Sequence, residues 1–312
     1  MNLDLNGSDF RSITAASNRI LNPDLKEPDI WETTASYERE LAANMGVRVM
    51  YVNKVVSGSI VNSTNNLVTI NTLRPYSAWS VPITRRDPGP DGVLGNGDDG
   101  GKVTIYDYSA AYRGGAFVNA QTINAPNTDR YHSIEGTLTK RFSRRWTGQV
   151  SYFTVKNHRW IASVFNSPND EFFPVDDTWS WAGNVTGSYR LPGDVSISGF
   201  LQTKNGVTGQ RTYIFRQVDP DGGPAIAQNG NTTIRMEPYG SQRLSAQNIL
   251  NLRGSKDLKL GGSRRLNIDV DVFNLLNAAT PTAATFVTGP SFGYTSSVIP
   301  ARIARLGVRF MF

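Results

Sequence analysis

Apolar and polar residues alternate with a period of two along several stretches of the chain. In Leu266–Val272, the apolar residues occupy every second position, and Asn, Asp and Asp lie between them. The same alternation recurs in 146–152, 179–189 and 304–312. Because successive side chains of a β-strand point to opposite faces, the pattern predicts strands with one apolar and one polar face. We place nine strands, at about 33–42, 46–56, 130–141, 146–156, 178–190, 195–203, 246–258, 264–274 and 302–312.

The predicted connections alternate between short and long along the whole chain. The long loops lie at about 57–129, 157–177, 204–245 and 275–301. Bacterial outer-membrane barrels have this alternation, because their periplasmic turns are short and their outer loops are long. Most of the strands have about ten residues, the length that a tilted strand needs to cross a bilayer. The sequence therefore predicts an all-β fold, an antiparallel up-and-down transmembrane β-barrel.

Aromatic and charged residues follow the same division between the two ends of the strands. Several aromatic residues lie near predicted strand ends, where the girdles of a barrel are found: Trp146, Tyr152, Trp179, Trp181 and Tyr189. Basic residues collect at the short turns: Lys140, Arg141, Arg144, Arg145, Lys259, Arg264 and Arg265. In a lipid-embedded barrel the apolar faces meet acyl chains, whereas in a soluble sandwich they would fill a dry core.

The composition removes several function classes. The chain has 312 residues, with 32 Lys and Arg against 26 Asp and Glu, a formal net charge of +6 and no cysteine. Disulfide scaffolds, thiol catalysis and Cys-ligated metal sites are therefore excluded. The dispersed basic residues match no nucleic-acid-binding module, so we expect no nucleic-acid partner. With only His132 and His158, the chain offers little material for a His-based catalytic triad, and we expect no enzymatic activity.

Particular stretches carry a resemblance to a known family. The last strand, Ala304–Phe312, ends on an aromatic residue with apolar residues at every second position before it, and it resembles the C-terminal strands of outer-membrane β-barrels. Asn22–Pro28 resembles the Asn-Pro-x-Leu-Lys entry to a barrel strand of TonB-dependent receptors, and Asp269–Asn277 resembles the penultimate strand of that family. The long loop with Arg74–Trp79 and Asp87–Asp99 is most similar to the Oar-like receptors, which carry an N-terminal carboxypeptidase-regulatory-like domain.

The resemblance implies a barrel of about 22 strands that encloses a plug domain. On this interpretation, residues 31–312 are the C-terminal part of the barrel, about nine strands, and residues 1–30 are the remnant of a preceding outer loop or strand. The other strands and the plug would lie outside this sequence. The implied location is the outer membrane of a Gram-negative bacterium, with outer-membrane lipid, the barrel-assembly machinery and, through the missing part, TonB as partners.

The resemblance also assigns roles to residues of the last strands. The assembly machinery would recognise the C-terminal strand through Leu306, Val308, Phe310 and Phe312. Five charged residues would face the lumen and contact the plug or line a solute path: Arg253, Asp269, Asp271, Arg305 and Arg309. The alternative is a charge ladder that stabilises the inner wall.

The segment Asp87–Asp98 has spacing similar to that of an EF-hand calcium loop, with Asp at positions 1, 5 and 12 and Gly at position 6. Position 3 is Gly89, and position 12 is Asp instead of the longer Glu. Two interpretations stay open. One is a surface turn rich in Gly, Pro and Asp; the other is a loop that holds one Ca²⁺ through Asp87, Asp91, Asn96, Asp98 and Asp99. No other cofactor is expected.

Aromatic residues in the predicted outer loops are candidates for stacking on sugars or peptides: Trp79, Tyr106, Tyr108, Trp160, Phe172 and Phe173. The alternative is that they pack the loops against one another. Three functions therefore remain open. The first is an outer-membrane TonB-dependent transporter, the second is a barrel that displays large loops for adhesion or binding, and the third is a soluble all-β carbohydrate-binding domain.

Overall fold

The structure is a computed structural model that describes residues 19–63, 74–114, 117 and 120–312. Nine strands, each hydrogen-bonded to its neighbours in chain order, form one antiparallel sheet, which we call the main sheet. The strands are β1 Asp29–Ala42, β2 Met45–Ser57, β3 Asp129–Ser143, β4 Trp146–Trp160, β5 Trp179–Leu191, β6 Val195–Lys204, β7 Gln247–Gly261, β8 Arg264–Phe273 and β9 Ile303–Met311. All nine predicted strands are present, and the predicted all-β, up-and-down antiparallel fold is confirmed. Of the predicted N-terminal remnant, residues 1–18 lie outside the described residues.

Strand β4 runs four residues beyond its predicted end. Its last two residues, Arg159 and Trp160, pair with a tenth short strand, Val175–Asp176. This additional partner keeps the backbone extended, and the polar sequence around Asn157 gives no sign of it. The difference therefore comes from a long-range pairing and not from local preference.

Short turns join β1 to β2, β3 to β4, β5 to β6 and β7 to β8, and each has two or three residues. Each turn contains backbone with positive φ, for example 66° at Asn44 and 77° at Gly193. Such tight turns fit the right-handed twist of the flanking strands. All four lie at one end of the main sheet, because the strands are antiparallel, and the four long connections lie at the other end.

Cross-strand pairing sorts the residues of the main sheet into an apolar and a polar face. On the apolar face Val270 of β8 lies opposite Leu306 of β9, and on the polar face Asp271 lies opposite Arg305. The apolar face is open: Val270 is 47% exposed and Leu306 is 70% exposed. A soluble sandwich would bury both side chains between two sheets, and the described part of the chain contains no second layer over them.

Strands β1 and β9 are the two ends of the strand order, and each has one neighbour among the described strands. Every residue of β1 is exposed, and so are all but one of β9. Trp31 of β1, for instance, is 75% exposed. Backbone groups of such end strands are available to pair with further strands.

The long connections fold together into what we call the loop body, formed by the described parts of 58–128, 161–178, 205–246 and 274–302. It contains two hairpins whose apolar residues form a dry core: Ile83, Ile105, Phe215, Ile226 and Ile234. The hairpins are Val81–Arg86 with Lys102–Asp107 and Thr212–Phe215 with Thr232–Arg235. The other described elements of the loop body are short strands and 3-10 turns: Ile60–Ser63, Tyr76–Ala78, Ala110–Tyr112, Ala120–Asn124, Pro168–Glu171, Thr208–Gly209, Gln242–Arg243, Pro281–Ala284 and Thr295–Val298. A short strand before β1, Arg19–Leu21, pairs with Ala120–Asn124. Among the described residues, no helix is long and apolar enough to cross a membrane.

Candidate functional site

The polar face of β7, β8 and β9 carries a group of ion pairs, which we call the charge ladder. The strand sequence Asn-Ile-Asp-Val-Asp-Val places two carboxylates, Asp269 and Asp271, side by side on this face. Arg253 of β7 pairs with Asp269 and lies 3.6 Å from Asp271 Oδ1 through Nη1. Arg305 of β9 donates to Asp271 Oδ2 from Nε at 3.0 Å and from Nη2 at 2.8 Å. Asp271 therefore joins three strands.

The carboxylates of the charge ladder are almost buried, with 9% of each side chain exposed, while the guanidinium groups of Arg253 and Arg305 remain more open. Within the described residues, Asp269 Oδ1 is buried without a hydrogen-bond partner. Arg309, the fifth predicted lumen residue, lies opposite Asn267 in the strand register. The ladder thus brings four of the five predicted residues into direct contact and leaves one acceptor for a further donor.

A buried guanidinium links three of the long connections in the loop body. Arg211 of the third connection donates to both carboxylate oxygens of Asp87, at 2.9 and 2.6 Å. Its Nη1 also reaches the carbonyl oxygen of Gly89 at 3.3 Å and Thr288 Oγ1 at 3.0 Å. Both charged side chains are nine-tenths buried. This bidentate pair is the strong form of a charge-assisted hydrogen bond.

Further contacts join the first connection to the third. Arg85 donates to the carbonyl oxygen of Pro224, from Nη2 at 2.5 Å and from Nε at 3.2 Å. The carboxylate of Asp107 accepts from the backbone N–H groups of Gln228 and Asn229, both at 2.8 Å. These side chains satisfy loop backbone groups that would otherwise be buried without partners.

The second connection is fastened to the other two in the same way. Arg235 donates from Nε to the carbonyl oxygen of Phe172 at 2.7 Å and from Nη2 to that of Asp170. Burial lowers the pKa of this guanidinium. Tyr76 of the first connection donates to Glu171 Oε1, and burial, followed by the hydrogen bond to Glu171, raises the pKa of the phenol. All four connections of the loop body are therefore joined by named contacts.

The predicted calcium ligands do not converge on one point. Asp87 is occupied by Arg211, as described above. Asp91 accepts from a backbone N–H two residues further on and from Asn96 Nδ2, both at 2.8 Å. Asn96 Oδ1 accepts from the N–H of Asp98, and Asp99 Oδ2 accepts from an N–H four residues earlier. In the described ranges no group of three acidic or histidine side chains is arranged to hold a metal ion, and the geometry is that of hydrogen-bonded Asx turns.

Most of the predicted ligand aromatics make packing contacts in separate places. Trp79 meets the ring of Tyr108 edge-on at 5.3 Å, and the guanidinium of Arg74 lies 3.7 Å from the centre of the Tyr108 ring. The backbone N–H of Tyr106 donates to Asn169 Oδ1 at 2.8 Å. The ring contacts of Trp79 and Tyr108 therefore lie within the first connection, and the Tyr108 hydroxyl donates to the carbonyl oxygen of Gln228 in the third at 2.9 Å.

The remaining three aromatics differ in exposure. Trp160 packs edge-on against Phe165 at 6.0 Å, and Phe172 packs against the dry core of the loop body. Phe173 is 39% exposed, with a φ of 44°. Of these three, Phe173 presents the ring that is most open to a ligand.

The other candidate groups also have local partners. His158 Nδ1 lies 2.8 Å from Asp177 Oδ1, and His132 Nδ1 lies 2.7 Å from the Tyr51 hydroxyl. On the C-terminal strand, Phe310 is 51% exposed and stacks on Phe312 with 6.0 Å between ring centres. Leu306 and Val308 are likewise exposed, so the predicted recognition residues are accessible.

Sequence reasoning misses the links of the loop body. Arg211 and Asp87 are 124 positions apart, and no local spacing marks either as a partner of the other. The signal in the sequence is the cluster of acidic residues in 87–99, and such carboxylates can bind either a metal ion or a guanidinium group.

The fold is similar to part of a known transporter. Over 95% of this chain, the structure matches the crystal structure of the outer membrane transporter YddB from Escherichia coli, with a TM-score of 0.52 and 12% sequence identity. The chain spans about a third of the length of that protein, 34%. No family model and no curated protein matches the sequence. At this identity the comparison concerns the fold alone.

Proposed function

We propose that the chain is the C-terminal barrel segment of an Oar-like TonB-dependent receptor in the outer membrane of a Gram-negative bacterium. It would contribute pore wall and ligand-facing outer loops. The observation that carries this proposal is a single sheet with an open apolar face and an ion-paired polar face. The similarity in fold to part of an outer membrane transporter supports it.

The two faces of the main sheet call for two different environments. Apolar area costs about 25 cal/mol per Å² when it stays in water, and the open face displays side chains such as Leu306 and Val308. Hydrocarbon would remove that cost. The charge ladder on the opposite face would be unfavourable in lipid, but it suits a wet or plugged lumen.

The charge ladder supports a contact with a plug domain. Asp269 Oδ1 is a buried acceptor without a partner among the described residues, and such an oxygen gains most from a donor on an adjoining domain. Arg305 remains partly exposed beside it, with 63% of its side chain open. A plug element that offers one donor and one carboxylate would complete this group.

Ligand capture would fall to the loop body. Its four connections are joined by a buried ion pair and by hydrogen bonds from buried arginines, so it presents a preformed surface, on which Phe173 is an open ring. Because the chain spans about a third of the transporter that it matches, capture and energised uptake are proposed for the whole receptor.

A second candidate is a barrel that displays its loops for adhesion without transport. The dry core of the loop body favours it, because loops with their own core form a stable binding module. Both candidates place the chain in the outer membrane, and they differ only in uptake.

The test has two stages. Heat-modifiable gel migration and fractionation of the full-length gene product should place it in the outer membrane; a soluble periplasmic product would contradict both candidates. Uptake of ferric chelates, oligosaccharides and peptides is then compared in cells with and without TonB. Loss of uptake without TonB supports the receptor, and binding without TonB-dependent uptake supports the display barrel.

A further inference from the structure

Basic residues without acidic partners collect at one rim of the main sheet. They lie where β3, β4 and β5 meet their short-turn end: Lys140, Arg141, Arg144, Arg145 and Arg190. The backbone N–H of Arg190 donates to the carbonyl oxygen of Arg145 at 2.8 Å, so the ends of β4 and β5 are in contact. In the part of the chain that the structure describes, none of the five forms an ion pair with a carboxylate. We call this group the basic rim.

Two arginines of the basic rim occupy backbone positions that disfavour them. Arg144 has a φ of 49° and Arg145 a φ of 71°. A two-residue hairpin with positive φ at both positions strongly prefers Asn-Gly, since residues with a large side chain are strained there. Turn geometry therefore does not account for the two arginines, and strain of this kind is found where residues serve another purpose.

A groove of about 550 Å³ opens on the apolar face beside this rim. Its floor is a row of residues in register across four strands, Lys140, Gly148, Gly187 and Gly199. The walls are apolar, with aromatic rings on the side of the short turns and aliphatic side chains on the other: Trp146, Tyr189, Val150, Val185 and Leu201. The groove runs where the three glycines have no side chains, and its lining consists almost entirely of carbon atoms.

Lys140 connects the groove to the basic rim. It is 8% exposed, and its Nζ donates to the carbonyl oxygen of Arg141 at 2.7 Å and to Ser143 Oγ. The ammonium lies 4.8 Å from the centre of the Trp146 ring. A nearly buried ammonium with two neutral acceptors leaves a positive charge at the mouth of an apolar groove.

We propose that the groove and the basic rim form a binding site for one anionic phospholipid. An acyl chain would lie on the glycine row, and the headgroup phosphate would accept hydrogen bonds from Lys140, Arg144 and Arg145. The charge complementarity of Lys140, Arg144 and Arg145 identifies the occupant, because the phosphate of a net-anionic lipid is not compensated by a cation of its own headgroup, as it is in phosphatidylcholine. Arg141 and Arg190 follow the groove residues Lys140 and Tyr189 and therefore lie on the polar face, where Arg190 stacks on the ring of Phe142 at 5.1 Å. The site rests on the membrane location in the proposed function.

The test uses the full-length gene product folded in uncharged detergent micelles, and lipids with brominated acyl chains, which quench nearby tryptophan. Phosphatidylglycerol should quench the fluorescence with an affinity at least about twentyfold higher than phosphatidylcholine, at about fivefold per phosphate-binding cation. Trp146→Phe should remove this tight component, because Trp146 lines the groove.

The charge variant replaces Arg144→Asn and Arg145→Gly together. The new pair suits the turn, so the chain should fold at least as well, while the preference for phosphatidylglycerol should fall about twentyfold. The matched control is Arg264→Gln with Arg265→Gln, which removes two cations at the β7–β8 turn and should leave the preference unchanged. If the preference for phosphatidylglycerol fell equally in both variants, it would come from the overall surface charge, and the proposed site would be refuted.

The groove variant is Gly199→Leu. A Cβ at this position meets a flexible Leu252 side chain at 3.1 Å, so a larger residue can be accommodated while it fills the groove. Gly254→Leu is the control, because it lies on the same face with no atom within 4 Å and outside the groove. Phosphatidylglycerol affinity should fall about tenfold in the first and stay constant in the second.

The possible failures are distinguishable. If the brominated lipids quench Trp146 to the same extent and with the same affinity, the chain is in contact with lipid but the anionic site is refuted. If neither lipid quenches any tryptophan in a folded chain, the apolar face does not meet lipid, and the proposed function fails with the site.

Discussion

A pair of adjacent substitutions in β5 tests whether the apolar face of the main sheet meets hydrocarbon. Val185 lies on that face, opposite Val150 and Leu201, and is 43% exposed. Thr186 is the next residue and lies on the polar face, where it is also exposed. Val185→Arg and Thr186→Arg therefore place the same charge on the same strand, on opposite sides of one sheet.

The magnitude follows from the position of Val185 between two aromatic residues of the same face, Trp181 and Tyr189. Each is four residues away, or about 13 Å along the strand. If these rings mark the two interfaces, Val185 is at the bilayer centre. An arginine there costs about 2–4 kcal/mol on a lipid-facing position, a change of roughly 30-fold to nearly 1000-fold in the folding equilibrium. Thr186→Arg should cost within about 0.5 kcal/mol, as surface substitutions do.

The assay is urea unfolding of the full-length gene product from phosphatidylcholine vesicles, followed by tryptophan fluorescence. We expect a clear loss of unfolding free energy for Val185→Arg and almost none for Thr186→Arg. If the apolar face were in water, both substitutions would be tolerated alike. Equal unfolding free energies for the two variants would therefore refute the assignment of this face to lipid.

Three further predictions concern the loop body and the C-terminus. Arg211→Met leaves the buried Asp87 carboxylate without its cation and should cost about 3–5 kcal/mol, measured as faster proteolysis of the loops. Arg86→Met, at a pair whose arginine is 59% exposed and whose contact is longer, 3.4 Å, should cost less than about 1 kcal/mol, and similar rates in both would contradict the role of the buried pair. Because burial and Glu171 raise the pKa of Tyr76, its contribution to stability is fully present below the unfolded pKa of about 10 and is lost as the pH rises through the folded pKa. Unfolding from pH 9 to 11 should show this decline in the parent and a smaller one in Tyr76→Phe; parallel curves would exclude the effect. Removing Phe312, which is 93% exposed, should lower the outer-membrane yield several-fold while refolding in vitro is unchanged within about 0.5 kcal/mol; a normal yield would argue against recognition of this residue.

The main sheet is predictable from sequence because its determinants are local. Alternation along β8 fixes which residues share a face, and the tight turns fix which strands are neighbours. Asp271 and Arg305 meet because β8 and β9 pair in a register that keeps each polar face intact. The end of β4 is less predictable, since the short strand that extends it comes from a later segment.

The loop body follows from contacts that no local pattern encodes. The acidic segment 87–99 has the spacing of a calcium loop, yet Asp87 binds a guanidinium from a segment 124 positions away. The rings of Trp79 and Tyr108 pack on each other. The sequence alone does not distinguish an aromatic ring that packs inside the protein from one that is free to bind a ligand. For these residues the three-dimensional arrangement decides between interpretations that composition leaves equal.

The junction at Arg211 has a consequence for motion. One guanidinium holds Asp87, Gly89 and Thr288, which belong to two different connections besides its own. Separation of Asp87 from Arg211 would leave two opposite charges buried without partners, and movement of the segment that carries Thr288 would remove a hydrogen bond from the same guanidinium. A molecule that pulls on any one of these connections would displace all three as a hinged unit, and amide hydrogen exchange should then record a single shared opening rate across loops that are far apart in the chain.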